Sequence, residues 1–429
     1  MNKNIIIKID DIVYPGKSMG RDQGKIIFTN IGLPHELVEV NITKTKKSYN
    51  EAKTIKVIET SPHRIEPKCE HYDVCSLYQY INYPFQLKLK HQQLKNMFTH
   101  ALKLELPEIT VKPSSSILAY RNKIRLTVRW YKNKPSFYYH TPNTQSEFTP
   151  INICYLVSEQ MNNFLKDLLH TISDKKITFI HEVTLRENFQ KKLLLILHLE
   201  NQRKTLDLKG FLSNITTKYT NSSATCICGG YAQSSEIILW GINYLSEKIG
   251  SINYDIGPLS FFQINTPLIH TVIADIKKLI PLKGNEIIAD LYCGIGTFGL
   301  NLANDAKMIF GVESETSNLS FLTKNISSNK IDNFTVYAGL SERWITKILS
   351  HNIDILIVDP PRKGLDSLIC KKLIKNPPQT IIYLSCNPAT LLRDLKVLSN
   401  YYTFKTITFY DFFPNTPHIE TMVVLEKIQ

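Results

Sequence analysis

The chain has 429 residues, of which 43% are hydrophobic, and its 51 Lys and Arg against 38 Asp and Glu give a formal net charge of +13. This length exceeds what one hydrophobic core usually supports, so we expect a folded protein of two or three domains. No apolar run of about 18 residues exists to span a membrane, and the cationic excess favours a polyanionic partner such as nucleic acid.

The N-terminal residues, MNKNIIIKIDD, contain a short apolar patch followed at once by acidic residues. This pattern does not fit a signal peptide, so we expect a cytoplasmic protein. Its 8 cysteines then indicate metal binding or catalysis at a few positions rather than a disulfide framework. Nothing in the sequence indicates a protein partner.

Between residues 5 and 58, apolar stretches alternate with Gly and Pro and predict five short strands. We therefore expect a small β-barrel over residues 1–60. Lys44, Lys46 and Lys47 lie close to Tyr49, and proteins that bind single-stranded nucleic acid combine cations and aromatic residues in this way. The alternative is a solvated charged face.

Residues 61–265 predict a second, RNA-facing domain of α+β type. The segment opens with a Pro-rich loop that contains Cys69 and Cys75, and Cys154 follows farther along. Between them, YPFQLKLKHQQLKNMFTHAL predicts a basic helix, and YRNKIRLTVRWY predicts a strand with many cations and aromatic residues.

Residues 266–429 alternate helical segments with the short apolar stretches NEIIADLY, MIFGVES, IDILIVDP and TIIYLSC. Such runs indicate a parallel sheet that is buried on both faces, hence a doubly wound α/β domain. The final segment, KTITFYDFFPNTPHIETMVVLEKI, predicts two more strands that join the sheet edge in antiparallel orientation.

The first strand of this domain leads into a glycine loop and a helix. Gly294 and Gly296 let the backbone approach a ligand, and Glu313, at the end of the next strand, has a carboxylate that can bind ribose hydroxyls. Asp290 would repel a diphosphate, whereas it suits a cation such as the sulfonium of S-adenosylmethionine. A nicotinamide dinucleotide remains the alternative.

Two further strands end in polar residues, Asp359 and Cys386, at the sheet edge where open α/β domains place their active sites. Cys386 directly precedes a predicted helix, an environment that lowers a thiol pKa; a buried structural cysteine is the alternative. A thiolate that adds to C6 of uracil activates C5 for methylation, after which a base must remove the C5 proton. Glu420, at the start of a later strand, supplies a carboxylate.

At these residues the chain resembles the RNA uridine-5-methyltransferase family over nearly its whole length. The motifs that carry the resemblance are SFFQIN (260–265), DLYCGIGTFGL (290–300), GVE (311–313), DPPRKGL (359–365), YLSCNPATLLRDL (383–395) and FFPNTPHIET (412–421). The resemblance implies a Rossmann-like methyltransferase domain in which Cys386 is the nucleophile and Glu420 is the base that removes the proton. The positions that it assigns to S-adenosylmethionine binding are Gln263, Tyr292, Thr297, Glu313, Leu340 and Asp359. Leu340 departs from the polar residue that is frequent in the family and offers no side-chain hydrogen bond.

The N-terminal barrel resembles the TRAM domain of this family, an RNA-binding module of the oligonucleotide-binding type, on residues SMGRDQGKIIFTNIGLPHELVEVNI. Its presence favours ribosomal RNA as the substrate. In the central domain, YRNKIRLTV (120–128) matches a family segment associated with RNA contact.

Family members with this architecture often hold an iron–sulfur cluster on four cysteines, and Cys69, Cys75 and Cys154 match three of them. The remaining ligand is expected just after Cys75, where this chain has Ser76-Leu77-Tyr78. Two alternatives stay open, a cluster completed by an outside ligand and a loop that folds by packing alone.

We therefore expect methylation of C5 of a specific uridine, in ribosomal RNA rather than transfer RNA. A transfer RNA uridine-C5 methyltransferase and a noncatalytic RNA-binding protein of the same fold are the alternatives. A methyltransferase that acts on amino groups is a third, and it would not need Cys386.

Overall fold

The structure, a computed structural model, describes residues 4–139, 149–199, 208–228 and 235–429. Five strands form its N-terminal part: β1 (Asn4–Val13), β2 (Lys17–Asp22), β3 (Lys25–Thr29), β4 (Leu37–Thr45) and β5 (Tyr49–Glu59). They close into a barrel in the order β1-β2-β3-β5-β4. Its interior is filled by Ile7, Ile9, Ile27, Val38 and Val40. The barrel predicted from the sequence is confirmed.

A helical segment follows the barrel, with α1 (Tyr72–Cys75), a 3-10 turn (Leu77–Tyr80) and the long α2 (Tyr83–Leu102). Helix α2 begins at a typical cap, because the side chain of Asn82 accepts a hydrogen bond from the backbone N–H of Phe85 at 3.0 Å. Three polar residues of α2, Gln86, Lys90 and Gln93, are buried. Buried polar groups need partners, so these residues direct the packing of α2 against its neighbours. Strand β6 (Ile109–Lys112) follows.

The central domain is built on a sheet of six strands: β7 (Lys123–Tyr131), β8 (Lys134–Tyr138), β9 (Ile180–Glu187), β10 (Leu193–Leu199), β11 (Ser222–Cys228) and β12 (Ser235–Trp240). Their order is β12-β11-β10-β9-β7-β8. Between these strands lie α3 (Glu159–Asp174), α4 (Leu208–Phe211) and α5 (Ser213–Lys218). A separate hairpin of β13 (Leu245–Ile249) and β14 (Ile252–Ile256) leads to α6 (Thr266–Leu279).

The C-terminal domain adds seven strands: β15 (Ile287–Leu291), β16 (Met308–Glu313), β17 (Phe334–Ala338), β18 (Ile355–Val358), β19 (Thr380–Ser385), β20 (Tyr402–Tyr410) and β21 (Glu420–Lys427). Its helices are α7 (Gly299–Leu302), α8 (Thr316–Ser328), α9 (Ser341–Leu349), α10 (Ser367–Lys375) and α11 (Pro388–Leu398), and a 3-10 turn spans Ala303–Asp305.

The strand order of this sheet is β17-β16-β15-β18-β19-β21-β20-β6. The first five strands are parallel, and β21 lies antiparallel between β19 and β20. The doubly wound domain is thus confirmed, but of the two added strands only β21 is antiparallel to β19, whereas β20 runs in the same direction as the parallel strands. Strand β6 comes from a much earlier part of the chain and pairs in parallel with β20. It forms the edge of the sheet, so that β20 and β21 are internal strands and not the expected edge.

Two apolar layers cover the sheet. One contains residues of α2, α9, α10 and α11, and the other contains residues of α6, α7 and α8. The carboxyl ends of β15, β16, β18 and β19 remain open at one edge, where this topology places a ligand site. Within the described part of the chain, no helix is both long and apolar enough to cross a membrane.

Candidate active site

The glycine loop after β15 folds between two buried carboxylates. Gly294 and Gly296 have φ angles of +58° and +90°, a backbone region that glycine adopts without steric cost. The backbone N–H of Gly294 donates to Glu313 at 2.8 Å, and that of Gly299 donates to Asp290 at 2.9 Å. A Cβ on Gly294 would meet no atom within 4 Å, so the loop leaves open space there for a ligand.

Glu313 has a fixed orientation at the end of β16. Its Oε1 accepts hydrogen bonds from the backbone N–H groups of Ser314 and Glu315, both at 2.7 Å. Asp290, at the end of β15, is fully buried, and burial raises its pKa to about 7, with further contributions from Asp359 and Glu313. Two carboxyl groups, of Glu313 and Asp290, therefore lie at this end of the site, and burial keeps Asp290 partly protonated at neutral pH.

Asp359, Cys386 and Glu420 come from neighbouring strands. Asp359 follows β18, Cys386 follows β19, and Glu420 opens β21. Because β19 lies between β18 and β21, Cys386 lies between the strand ends that carry the two carboxylates. All three side chains line one cavity of about 610 Å³.

The electrostatics of this group differ from the expectation for Cys386. The pKa of the thiol is raised to about 11, chiefly by burial and also by Glu420 and Asp359, while Arg362 acts in the opposite direction. The expected lowering of this pKa is wrong, because burial and two neighbouring carboxyl groups raise it instead. Burial raises the pKa of Asp359 to about 7, and burial together with Asp359 raises that of Glu420 well above its usual value.

The cavity brings together seven of the eight residues that the sequence assigns to catalysis and donor binding: Gln263, Tyr292, Glu313, Leu340, Asp359, Cys386 and Glu420. Thr297 does not line it. The carbonyl of Thr297 instead accepts hydrogen bonds from Tyr254 Oη at 3.1 Å and Asn301 Nδ2 at 3.0 Å, so its backbone stabilises the turn before α7. Leu340 is 46% exposed and presents an apolar surface to the cavity.

The further side chains that line the cavity, and that the sequence analysis did not select, include Phe261, Arg362, Phe413 and His418. Each of these four residues lies in a motif that also contains a selected residue, and this proximity in sequence is the feature that could have identified them.

The N-terminal barrel also approaches this site. A Cβ on Gly16 would lie 2.9 Å from Cβ of Pro417, and the pKa of Tyr14 is raised by burial, lowered by Arg362, and raised by Cys386 and Glu420.

The three cysteines matched to a cluster do not form a metal site. No group of three His, Cys, Asp or Glu in the described ranges is arranged to hold a metal ion. Tyr139 Oη lies 2.8 Å from Sγ of Cys154, and Ser76 Oγ lies 3.4 Å from Sγ of Cys75. Burial raises the pKa of Cys75 to about 11 and also raises that of Cys69. An iron–sulfur cluster is usually held by four protein thiolates, whereas three cysteines match here and burial disfavours the ionised form of Cys69 and Cys75.

Comparison with known families covers most of the chain. Residues 82–428 match the model of the tRNA (uracil-5-)-methyltransferase family, and residues 3–55 match the TRAM domain. The second match falls on the N-terminal barrel, as the sequence analysis predicted.

Curated relatives are similar over nearly their full length. An uncharacterized RNA methyltransferase of Clostridium tetani is 30% identical over 96% of this chain and 93% of its own. The 23S rRNA (uracil(1939)-C(5))-methyltransferase RlmD of Legionella pneumophila is 27% identical over 98% of this chain and 96% of its own. The crystal structure of tRNA (uracil-54, C5)-methyltransferase of Pyrococcus abyssi, in complex with S-adenosyl-L-homocysteine, shares the fold with a TM-score of 0.76, at 24% identity, over 98% of this chain and 100% of its own.

Proposed function

The chain belongs to the tRNA (uracil-5-)-methyltransferase family, and we propose that it methylates C5 of a uridine in ribosomal RNA from S-adenosylmethionine. Cys386 is the nucleophile and Glu420 is the base. The observation that carries this assignment is the convergence of Cys386, Glu420 and Asp359 in one cavity. An RNA-binding protein without activity would not need this reactive pair.

The reaction requires C5 of uracil to become nucleophilic. Attack of the Cys386 thiolate on C6 forms an Sγ–C6 bond, and the C5=C6 electron pair moves to give an enolate with its charge on O4. C5 then takes up the methyl group. Glu420 removes the C5 proton, the C5=C6 bond forms again, and Cys386 leaves as a thiolate. Bound S-adenosylmethionine supplies an electrophilic methyl group and becomes a neutral thioether.

The residues of the cavity fit a cationic methyl donor. The acidic residues that line it are Glu313, Glu315, Glu342, Asp359 and Glu420, and they outnumber its two basic residues, Arg362 and Lys363. Wherever these carboxyl groups are ionised they attract a sulfonium and repel the diphosphate of a dinucleotide, and a bound cation in turn favours the ionised forms of Asp359 and Glu420. Gln263, Tyr292, Glu313, Leu340 and Asp359 would hold the donor; Thr297 would act through the turn that it stabilises.

The same electrostatics explain how a thiol with a raised pKa can react. Arg362 lowers the pKa of Cys386, and a cationic donor in the same cavity acts in the same direction. We therefore propose that the thiolate becomes populated once the cavity holds the donor. This order also limits reaction of Cys386 with other electrophiles in the free enzyme.

Ribosomal RNA is the proposed substrate because the chain carries a TRAM domain and is similar over nearly its full length to the Legionella enzyme that acts on 23S rRNA. Transfer RNA is the second candidate, since the Pyrococcus protein of the same fold acts on it. We also propose a cytoplasmic location, because all 8 cysteines are free thiols, as is usual in a reducing compartment.

The test uses the purified chain, protein-free 23S rRNA, a transfer RNA pool, and S-adenosylmethionine with a labelled methyl group. We expect 5-methyluridine in the ribosomal RNA by nucleoside mass spectrometry, none with Cys386→Ala, and a covalent RNA–protein adduct with Glu420→Gln. Label in transfer RNA alone would overturn the substrate, and retained activity of Cys386→Ala would overturn the mechanism.

A further inference from the structure

The turn between β20 and β21, residues 411–419, supplies a second functional group beside the base. Phe413 and His418 lie on this turn, and both line the cavity together with Cys386 and Glu420. The rings of Phe413 and His418 meet edge to face, with centroids 5.7 Å apart and planes at 75°. This contact limits the rotation of the imidazole next to the reacting groups.

A buried network with α2 fixes the turn. Nζ of Lys90 donates to Oδ1 of Asp411 at 2.6 Å and to the carbonyl of Phe413 at 3.1 Å. One turn earlier on the helix, the side-chain amide of Gln86 donates to Asn415 Oδ1 and accepts from its backbone N–H, both at 2.9 Å. These bonds connect the turn to a 20-residue helix. The cavity wall is therefore held in place before any substrate binds.

His418 is a neutral imidazole in this setting. Its pKa is lowered to about 4, chiefly by burial and also by the nearby cations Arg362, Lys90 and Arg121. A neutral ring has one N–H donor and one acceptor nitrogen. Neither ring nitrogen of His418 makes a hydrogen bond within the described part of the chain. The imidazole packs against the ring of Phe413, and its two ring nitrogens are available to a ligand in the cavity.

The proposed reaction creates a need for such a donor. When the Sγ–C6 bond forms, the π pair of C4=O4 moves onto O4, and the resulting charge needs a fixed hydrogen-bond donor in a site of low dielectric. Arg362 also lines the cavity, but its side chain is exposed, so that water screens its charge. His418 is the more buried donor and lies two residues from the base.

We propose that His418 is a further catalytic residue, whose imidazole N–H donates a hydrogen bond to O4 of the target uracil as the enolate forms. The inference rests on the proposed uridine-C5 methylation. The proton stays on the imidazole throughout, so that no separate acceptor is required. Gln86 and Lys90 are positioning residues, because they act through the turn to which they are hydrogen-bonded.

The test isolates the steps before proton removal. RNA that the wild-type enzyme methylates is transcribed with 5-fluorouridine, in which the C5 position carries no proton to remove, so that the methylated adduct accumulates. We expect His418→Leu to form this adduct about 10²- to 10³-fold more slowly, as when one oxyanion donor is removed. The KM for RNA should stay unchanged, since the donor acts mainly on the developing charge.

Two variants keep this test independent of folding. His418→Gln retains an N–H donor and should recover part of the rate, whereas His270→Leu, at an exposed position of α6, should react like the wild type. Adduct formation at the wild-type rate by His418→Leu, or an equally slow His418→Gln, overturns the assignment. Failure of the wild-type enzyme itself to form the adduct would instead reject the proposed function.

Discussion

Nζ of Lys90 lies 2.6 Å from Oδ1 of Asp411, and both side chains are fully excluded from solvent. The pair joins α2 to the turn that carries His418, across 321 residues of sequence. The attraction in a buried ion pair is largely offset by the cost of removing both charges from water. Its main effect is therefore geometric, since one arrangement of helix and turn satisfies both charges.

The first prediction concerns the stability of this pair. Lys90→Met leaves the carboxylate of Asp411 buried without its cation, and we expect the free energy of unfolding to fall by about 3–5 kcal/mol. The double variant Lys90→Met/Asp411→Leu removes both charges and should recover most of this loss. Urea unfolding measures both values. A single variant as stable as the wild type would show that water reaches Asp411.

The second prediction concerns the reactivity of Cys386. Because its pKa is raised to about 11, the thiolate is scarce at neutral pH, and alkylation by iodoacetamide in the free enzyme should accelerate as the pH rises toward that value. Glu420→Gln removes a negative neighbour and should move the profile to lower pH. Peptide mass spectrometry reports the rate at this cysteine, with Cys386→Ser as the blank. A half-maximal rate below pH 8 in the wild type would contradict the assigned environment.

The third prediction uses Asp290, whose pKa is raised from 3.8 to about 7. An acid that binds its proton more tightly when folded contributes stability at low pH that is lost as the pH rises through its folded pKa. Asp290→Asn keeps an acceptor for Gly299 and carries no charge. We expect the variant to gain several kcal/mol over the wild type between pH 4 and pH 8, at about 1.4 kcal/mol for each pKa unit.

Unfolding in urea at the two pH values gives this difference directly. The matched control is Asp332→Asn, at an exposed position of the same domain, for which the difference should not change with pH. A constant difference for Asp290→Asn would mean that the carboxyl titrates alike in the folded and unfolded chain.

The fourth prediction concerns the three cysteines Cys69, Cys75 and Cys154. Because this set is one cysteine short of the usual four ligands and burial raises the pKa of Cys69 and Cys75, we expect protein reconstituted anaerobically with iron and sulfide to hold substoichiometric iron and to show no visible charge-transfer absorbance. A Cys69→Ser/Cys75→Ser/Cys154→Ser variant serves as the baseline. A full cluster that is lost in this variant would contradict the prediction.

Much of the fold could be predicted from local sequence patterns. Period-two apolar runs gave the barrel, and short apolar strands before Asp359 and Cys386 placed both residues at one sheet edge. Contacts between segments that are far apart in sequence could not be predicted, because no local pattern specifies which distant segments pair. Strand β6 joins β20, and Gln86 meets Asn415 across 329 residues. The raised pKa of Cys386 was not predictable for the same reason, since both its burial and its proximity to Glu420 and Asp359 arise only in the folded sheet.

The close packing of Gly16 on Pro417 has a consequence for protein engineering. The N-terminal barrel is packed directly against the catalytic domain, because its β1–β2 turn contacts the turn between β20 and β21 that carries His418. A different barrel grafted onto this enzyme would need a glycine at this point of contact. In a chimaera with a bulkier residue at this position, the new side chain would displace Pro417 and with it the neighbouring His418. A change in activity could then not be attributed to RNA binding by the barrel alone.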